Sequence, residues 1–242
     1  MTRMTAVGGG QTAMDMVYTF PGTQNNGRIT QSTDGVSGET VVYTYDTLNR
    51  LTKAETTSAA WGDAYTYDGF GNLTAKTVTK GVAPSMTATY DPMTNRAFGQ
   101  AYDANGNVGF GGVFPYDVEN RLMGSQSGGW GQWTYDAGGK RVFAKTPGNG
   151  TTVATRCEIY FYGITGQKLV TLTCAYNDVS GGDGSFSYAV GGRNLYFKGK
   201  MIRAGLVTVV TDRLGSVRAN SNGERMSYFP YGEERTTTTD VR

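Results

Sequence analysis

Histidine is absent from this chain, which removes the commonest general base, the usual metal ligand and the natural pH switch. Any chemistry must come from carboxylates, hydroxyls and two cysteines. The carboxylates offer no nucleophile–base pair and no close acid pair that spacing alone can single out, so the chain is expected not to be an enzyme and to need no cofactor. Cys157 and Cys174 bracket the stretch CEIYFYGITGQKLVTLTC. Two cysteines without histidine make a poor zinc site, and a disulfide is the chemistry left to them. If EIYFY and KLVTLT are antiparallel strands around a two-residue loop at Thr165-Gly166, cross-strand partners sum to 331. Ile164 then faces Gln167, Phe161 faces Val170 and Cys157 faces Cys174. That position is a non-hydrogen-bonded pair, where Cα atoms approach to about 4.5 Å, near the short limit for a bridge. A Cys157–Cys174 disulfide is expected, and with it an oxidising compartment. The alternative is a pair of buried thiols, and a three-residue loop would shift the pairing by one step.

The elements that must carry these groups are announced by a repeated dipeptide. Tyr-Asp occurs at Tyr45-Asp46, Tyr67-Asp68, Tyr90-Asp91, Tyr102-Asp103, Tyr116-Asp117 and Tyr135-Asp136. A random order of this composition would contain about one such pair. The spacing is irregular, which sets the pattern apart from solenoids of fixed period and suggests one constant turn joined by strands of variable length. In VVYTYD, Val41, Tyr43 and Tyr45 alternate with Val42, Thr44 and Asp46, the period of a strand. The Asp carboxylate can accept a backbone N–H two residues on, and a Gly or Asn follows where φ must turn positive, as at Gly71-Asn72 and Asn105-Gly106. Leu51, Leu73, Val108, Leu122 and Val142 are expected to begin the returning strands.

A lone hairpin buries too little apolar area to stand by itself in water. Successive hairpins should therefore stack into a sheet, helped by aromatic cross-strand pairs. No segment shows sustained helical periodicity. The fold class expected is all-β, with consecutive antiparallel hairpins over 1–242 as a single β-rich repeat region: YD-repeat hairpins at 17–145, degenerate hairpins at 157–200 and a distinct motif at 206–235. Glycine is abundant at 36 of 242 residues, six prolines show no triplet period, and the formal charge is +2 with 38% hydrophobic and 17% charged residues. That balance excludes collagen, a disordered polyampholyte and a basic nucleic-acid binder. No apolar run has the roughly 18 residues of a membrane helix, and the first residues lack a secretory pattern. The chain is expected to be a piece of a longer protein.

The YDxxGN/R-L phrases resemble the rearrangement-hotspot (Rhs) or YD-repeat family, which includes the C components of insecticidal toxin complexes and the teneurins. TDRLGSVRANSNGE at 211–224, followed by YFPYGEE at 228–234, resembles the start of the Rhs-associated core, on the residues Asp212, Leu214, Gly215, Ser216 and Arg218. FPGTQNNGRIT at 20–30 resembles a further family phrase. The resemblance implies a β-sheet spiralling into a hollow shell around a polypeptide, often a toxic C-terminal domain. The later family motif whose aspartates release that domain has no counterpart here, so no catalytic residue is carried over.

Other patterns have plainer readings. Asn177, Asp178 and Gly-Gly-Asp-Gly at 181–184 do not fit a calcium loop and are expected to be a surface turn. Trp130, Trp133 and the WGD at 61–63 are possible platforms for a glycan, though Trp130 and Trp133 face opposite sides of a regular strand. Arg213, Arg218, Arg225 and Arg235 are offset by Asp212, Glu224, Glu233 and Glu234, as expected of a solvated surface rather than a phosphate site. GGVFPYD and SGGWG lack the Lys-Ser/Thr of a phosphate-binding loop. The leading functional expectation is a structural shell or scaffold segment of a secreted or cell-surface toxin-like protein. The alternative is an extracellular glycan- or protein-binding adhesion module. Open sheet edges should pair with the remainder of a longer chain or with other copies.

Overall fold

In the computed structural model, residues 2–23, 25–109, 114–125, 131–146, 155–177 and 185–235 are described. They are all-β: among them no helix occurs, and so none is long and apolar enough to cross a membrane. The chain divides into two units, residues 1–98 with 208–242, and residues 99–207.

The first unit contains an eight-stranded antiparallel sheet whose spatial order follows the chain. Its strands are β1 (Thr2–Gly8), β2 (Gln11–Thr19), β3 (Gln31–Asp34), β4 (Thr40–Tyr45), β5 (Leu51–Thr56), β6 (Trp61–Tyr67), β7 (Leu73–Gly81) and β8 (Met86–Thr87). Alternation decides which face is buried. Met14, Met16 and Tyr18 on β2 point to one side, and Val41, Ala54, Trp61 and Tyr65 form a second cluster on β4 to β6. Val42 and Val78 remain exposed.

The second unit holds β9 (Gly124–Ser125), β10 (Gly131–Tyr135), β11 (Arg141–Thr146), β12 (Thr155–Tyr162), β13 (Lys168–Asn177), β14 (Ser185–Phe197) and β15 (Lys200–Ala204), again antiparallel and again in chain order. Then follow β16 (Val207–Thr211), whose residues from Thr208 on belong to the first unit, β17 (Val217–Asn220), β18 (Ser227–Tyr228) and β19 (Glu234–Arg235); β16 pairs with β17 and β18 with β19.

The hairpin between β12 and β13 corrects the expected loop. Gly163, not Ile164, pairs with Gln167, because the N–H of Gly163 donates to the Gln167 carbonyl at 2.9 Å and the N–H of Gly166 to the Gly163 carbonyl at 2.8 Å. The loop therefore has three residues, with Gly166 at φ 87°. Tyr162 then pairs with Lys168, yet Phe161 pairs with Val170, since a β-bulge between them takes up one residue. The bulge cancels the shift made by the longer loop. Cys157 stands opposite Cys174, the two are joined, and their Cα atoms lie 4.8 Å apart.

Candidate functional site

The functional feature is the corner itself, repeated. At Asp68 the backbone N–H donates to the Asn72 carbonyl at 3.1 Å, and the N–H of Gly71 donates back to the Asp68 carbonyl at 3.1 Å. Asp68 Oδ1 accepts the N–H groups of Phe70 and Asn72, both at 2.9 Å, while Oδ2 accepts Asn72 Nδ2 at 2.8 Å. One carboxylate thus satisfies the donors that a tight reversal leaves unpaired. The same set recurs at Asp46, Asp103 and Asp117, with Arg50, Asn107 and Arg121 in the place of Asn72. At Asp136 the carboxylate accepts the Lys140 N–H at 2.9 Å. Asp91 belongs to a corner one residue longer, closed by the Asp91 N–H on the Arg96 carbonyl.

The residue at the tight position has positive φ: Asn49 67°, Gly71 91°, Gly106 87°, Asn120 60° and Gly139 77°. A bulge follows, so that Tyr45 pairs with Leu51 but Thr44 with Lys53, and Tyr67 pairs with Leu73 but Thr66 with Ala75. Tyr102 faces Val108 and Tyr116 faces Leu122, as expected of the returning residues. At the Asp136 corner the expectation of Val142 is off by one: Tyr135 pairs with Arg141, and Thr134 with Phe143. Val142 takes up the bulge.

These hydrogen bonds set the carboxylates' acidity. The Arg50 N–H first, then its guanidinium, hold Asp46 below the usual carboxylate range, and Asn72 and Asn107 side chains do the same for Asp68 and Asp103. Backbone donors from Met93 and Arg121 lower Asp91 and Asp117.

What the sequence reading missed is the work of the tyrosine. The Tyr67 hydroxyl donates to the Leu51 carbonyl at 2.7 Å, reaching from its own corner to the residue that leaves the previous one. Tyr45 reaches Ile29 at 2.9 Å, Tyr116 reaches Val108 at 2.7 Å, and Tyr135 reaches Leu122 at 2.7 Å. Tyr162 binds the Arg141 carbonyl and Tyr228 the Val217 carbonyl, each at 2.9 Å. A cation from the earlier corner lies over the later ring: Arg50 over Tyr67 at 4.8 Å and Arg121 over Tyr135 at 5.3 Å. These corners are therefore tied to their predecessors by a tyrosine hydroxyl, and at Tyr67 and Tyr135 a stacked guanidinium adds to the tie.

The corner also extends past the Tyr-Asp phrases. Gly163, Asp212, Asn220 and Phe229 each donate an N–H to the carbonyl four residues on and accept the N–H of the glycine three residues on. The motif residues Asp212, Leu214, Gly215, Ser216 and Arg218 are one such corner. Asp212, 1% exposed, accepts the Leu214 and Ser216 N–H groups at 2.9 and 3.1 Å, Gly215 has φ 92°, and Arg218 closes onto Asp212 Oδ2 at 2.8 Å. Leu214 itself is exposed. A glycine or asparagine in the left-handed position was the signal that would have found these corners without the Tyr-Asp dipeptide.

The expected solvated run at 213–235 holds in part: Arg213 and Arg225 are exposed and Arg218 and Arg235 half-buried, yet each has a partner. Arg213 lies over Tyr18 and Phe20, Arg225 donates to the Ala13 carbonyl at 2.7 Å, and Arg235 grips Glu39 at 2.7 Å while lying over Trp61. Phe229 meets Trp61 edge-on at 5.1 Å, and Tyr231 packs on Tyr65 at the same distance while its hydroxyl meets that of Tyr67. The segment from 208 to 235 thus lies on the buried face of the eight-stranded sheet. Trp61, 3% exposed, is core and no glycan platform. Trp133 carries Arg141 over its ring at 5.5 Å. Trp130 and the residues 178–184 lie outside the described residues. No group of three or more metal-ligating side chains occurs among the described residues.

Residues 25–60 match the RHS Repeat family. Across 164 residues, 63% of this chain, the sequence is 32% identical to the tRNA3(Ser)-specific nuclease WapA of Bacillus spizizenii, of whose length the chain spans 7%. A Photorhabdus luminescens Tc holotoxin pore structure superposes on 93% of this chain with a TM-score of 0.61 at 15% identity, over 13% of that chain. A TcdB2-TccC3 crystal structure without its hypervariable C-terminal region covers the same 93% with a TM-score of 0.51 at 14% identity, over 14% of that chain. The likeness is one of fold.

Proposed function

We infer, from the premise that this chain is a Rhs/YD-repeat protein related to toxin-complex components, that it is a stretch of structural wall in a toxin-like protein. Its task is to enclose or present another polypeptide. The observation that carries this reading is the corner-to-corner tie of Tyr67 to Leu51, repeated along both units. A wall excludes solvent and proteases only if neighbouring hairpins cannot part, and these tyrosine hydroxyls fasten hairpin to hairpin outside the strand ladder. The role needs no catalytic residue and no cofactor.

The strand β1 stands at one edge of its sheet, and a sheet edge presents backbone groups to a further strand. The partner is the rest of a longer chain or another copy. The Cys157–Cys174 bridge supports assembly in an oxidising compartment, hence a secreted or cell-surface location. A nuclease relative many times longer than this chain is compatible with a wall that accompanies an enzymatic segment.

The test uses the polypeptide in which this chain naturally occurs. Limited proteolysis of the native assembly should leave an internal segment outside the wall sequence uncut, and opening the assembly with mild denaturant should release that segment to digestion. Equal digestion rates before and after opening would remove the enclosure reading.

A further inference from the structure

Three ionisable side chains that no corner uses meet where the C-terminal segment crosses the sheet. Lys76 on β7 is 8% exposed, and its Nζ contacts Glu233 Oε1. Asp63 on β6 is 1% exposed, and its Oδ1 has no hydrogen-bond partner among the described residues. Tyr65 pairs directly with Lys76, so Asp63, two residues from Tyr65 on the same face, is a diagonal neighbour of the lysine. Trp61 and Phe229 pack together beside this group, as do Tyr65 and Tyr231.

A structural ion pair requires one carboxylate for one ammonium. Here a second carboxyl is buried with one of its two oxygens unpartnered among the described residues, a costly arrangement unless the group is used. Glu233 is 37% exposed as a side chain, yet its Oε2 is buried and has no partner among the described residues. Burial raises the Asp63 carboxyl above its ordinary range, against the opposing charge of Lys76. Asp63 is therefore suited to hold and return a proton. An amine desolvated against a fixed carboxyl carbon has both the nucleophilicity and the proximity that acyl transfer needs.

We propose that Lys76 and Glu233 join in an intramolecular amide bond, with Asp63 relaying the proton. The ammonium of Lys76 passes one proton to Asp63, and the neutral Nζ attacks Cδ of Glu233. The new Nζ–Cδ bond forms as a Cδ–O bond breaks. Asp63 returns its proton to the departing oxygen, a second nitrogen proton completes one water, and Asp63 ends as it began. The positive and negative charges of the pair cancel in the product; nothing is oxidised or reduced, and no co-reactant is consumed. The bond fastens the C-terminal segment to β7 covalently, and it stands independently of what the wall encloses.

Mass spectrometry of the reduced, denatured protein tests this directly. The expected result is a mass lower than that of the sequence by one water, and digestion yielding a branched peptide that contains both Lys76 and Glu233. Lys76→Arg, which keeps the charge without an acylatable amine, is expected to restore the full sequence mass, and Asp63→Asn to leave most molecules unlinked. A folded wild-type protein with the full sequence mass would overturn the proposal. So would a loss of water that persists in Lys76→Arg.

Discussion

The Tyr67 hydroxyl stands 2.7 Å from the Leu51 carbonyl and also meets the hydroxyl of Tyr231. One side chain therefore joins its own corner, the preceding corner and the segment laid across the sheet. Replacing Tyr67 by Phe keeps the ring beneath Arg50 and removes only these hydrogen bonds. A loss of about 1–2 kcal/mol is expected from urea unfolding followed by tryptophan fluorescence. An unchanged midpoint would reduce the tie to a packing contact.

The Asp68 carboxylate serves as a multiple acceptor, and the Asn220 corner shows which part of it matters. Asn220 Oδ1 accepts the Asn222 and Glu224 N–H groups at 3.0 and 3.1 Å without any charge. Asp68→Asn should therefore shift the denaturation midpoint little, while Asp68→Ala, which strips the acceptor from two backbone donors, should lower it clearly more. Equal losses in the two variants, read from denaturation midpoints, would mean that charge rather than geometry holds the corner.

Acid should weaken the protein in a defined window. Asp46, Asp68, Asp91, Asp103 and Asp117 are all lowered by the donors around them. Their contribution is complete above the unfolded carboxyl value of about 3.9 and is lost as pH falls through the lower folded values. Asp63, raised by burial, has the opposite sign and favours the folded state as it gains a proton. Because the lowered group is the larger, melting temperature should be level from neutral pH to about 5 and fall below about 4. A melting temperature that rises on acidification to pH 3 would contradict this.

Asn49 holds φ at 67° in the tightest position of its corner. Asn49→Gly should be neutral to within about 0.5 kcal/mol and Asn49→Ala should cost about 1–2 kcal/mol, since only the alanine meets the left-handed penalty. Thermal melting of the pair distinguishes this backbone effect from loss of the side chain's bond to Asn26, which both variants share.

The Cys157–Cys174 bridge closes a loop with a sequence separation of 17. A loop of this length corresponds to about 3 kcal/mol of stabilisation. Reduction, or the double change to serine, should lower the unfolding midpoint of the protein accordingly. Calorimetry with and without reductant checks it, and identical traces would show that the strand pairing needs no covalent help.

The all-β class, the corner at each Tyr-Asp and the facing cysteines were readable in the sequence because each depends on neighbours along the chain. Alternation in VVYTYD, an aspartate two residues before the first N–H it accepts and a Gly or Asn three residues on are local facts, decided by backbone sterics and short hydrogen bonds. Even the cysteine register was found by way of the wrong loop, because the bulge at Leu169 restored what the third loop residue removed. The corners at Asn220 and Phe229 lack the Tyr-Asp spelling while keeping the glycine, so that dipeptide does not reveal them. Only the tertiary structure decided that tyrosine hydroxyls reach the previous corner, that Trp61 is core and that Lys76 meets Glu233. Those outcomes turn on which face of the sheet is covered and by what, and a period of two fixes the alternation of side chains without saying which distant segment will lie over them.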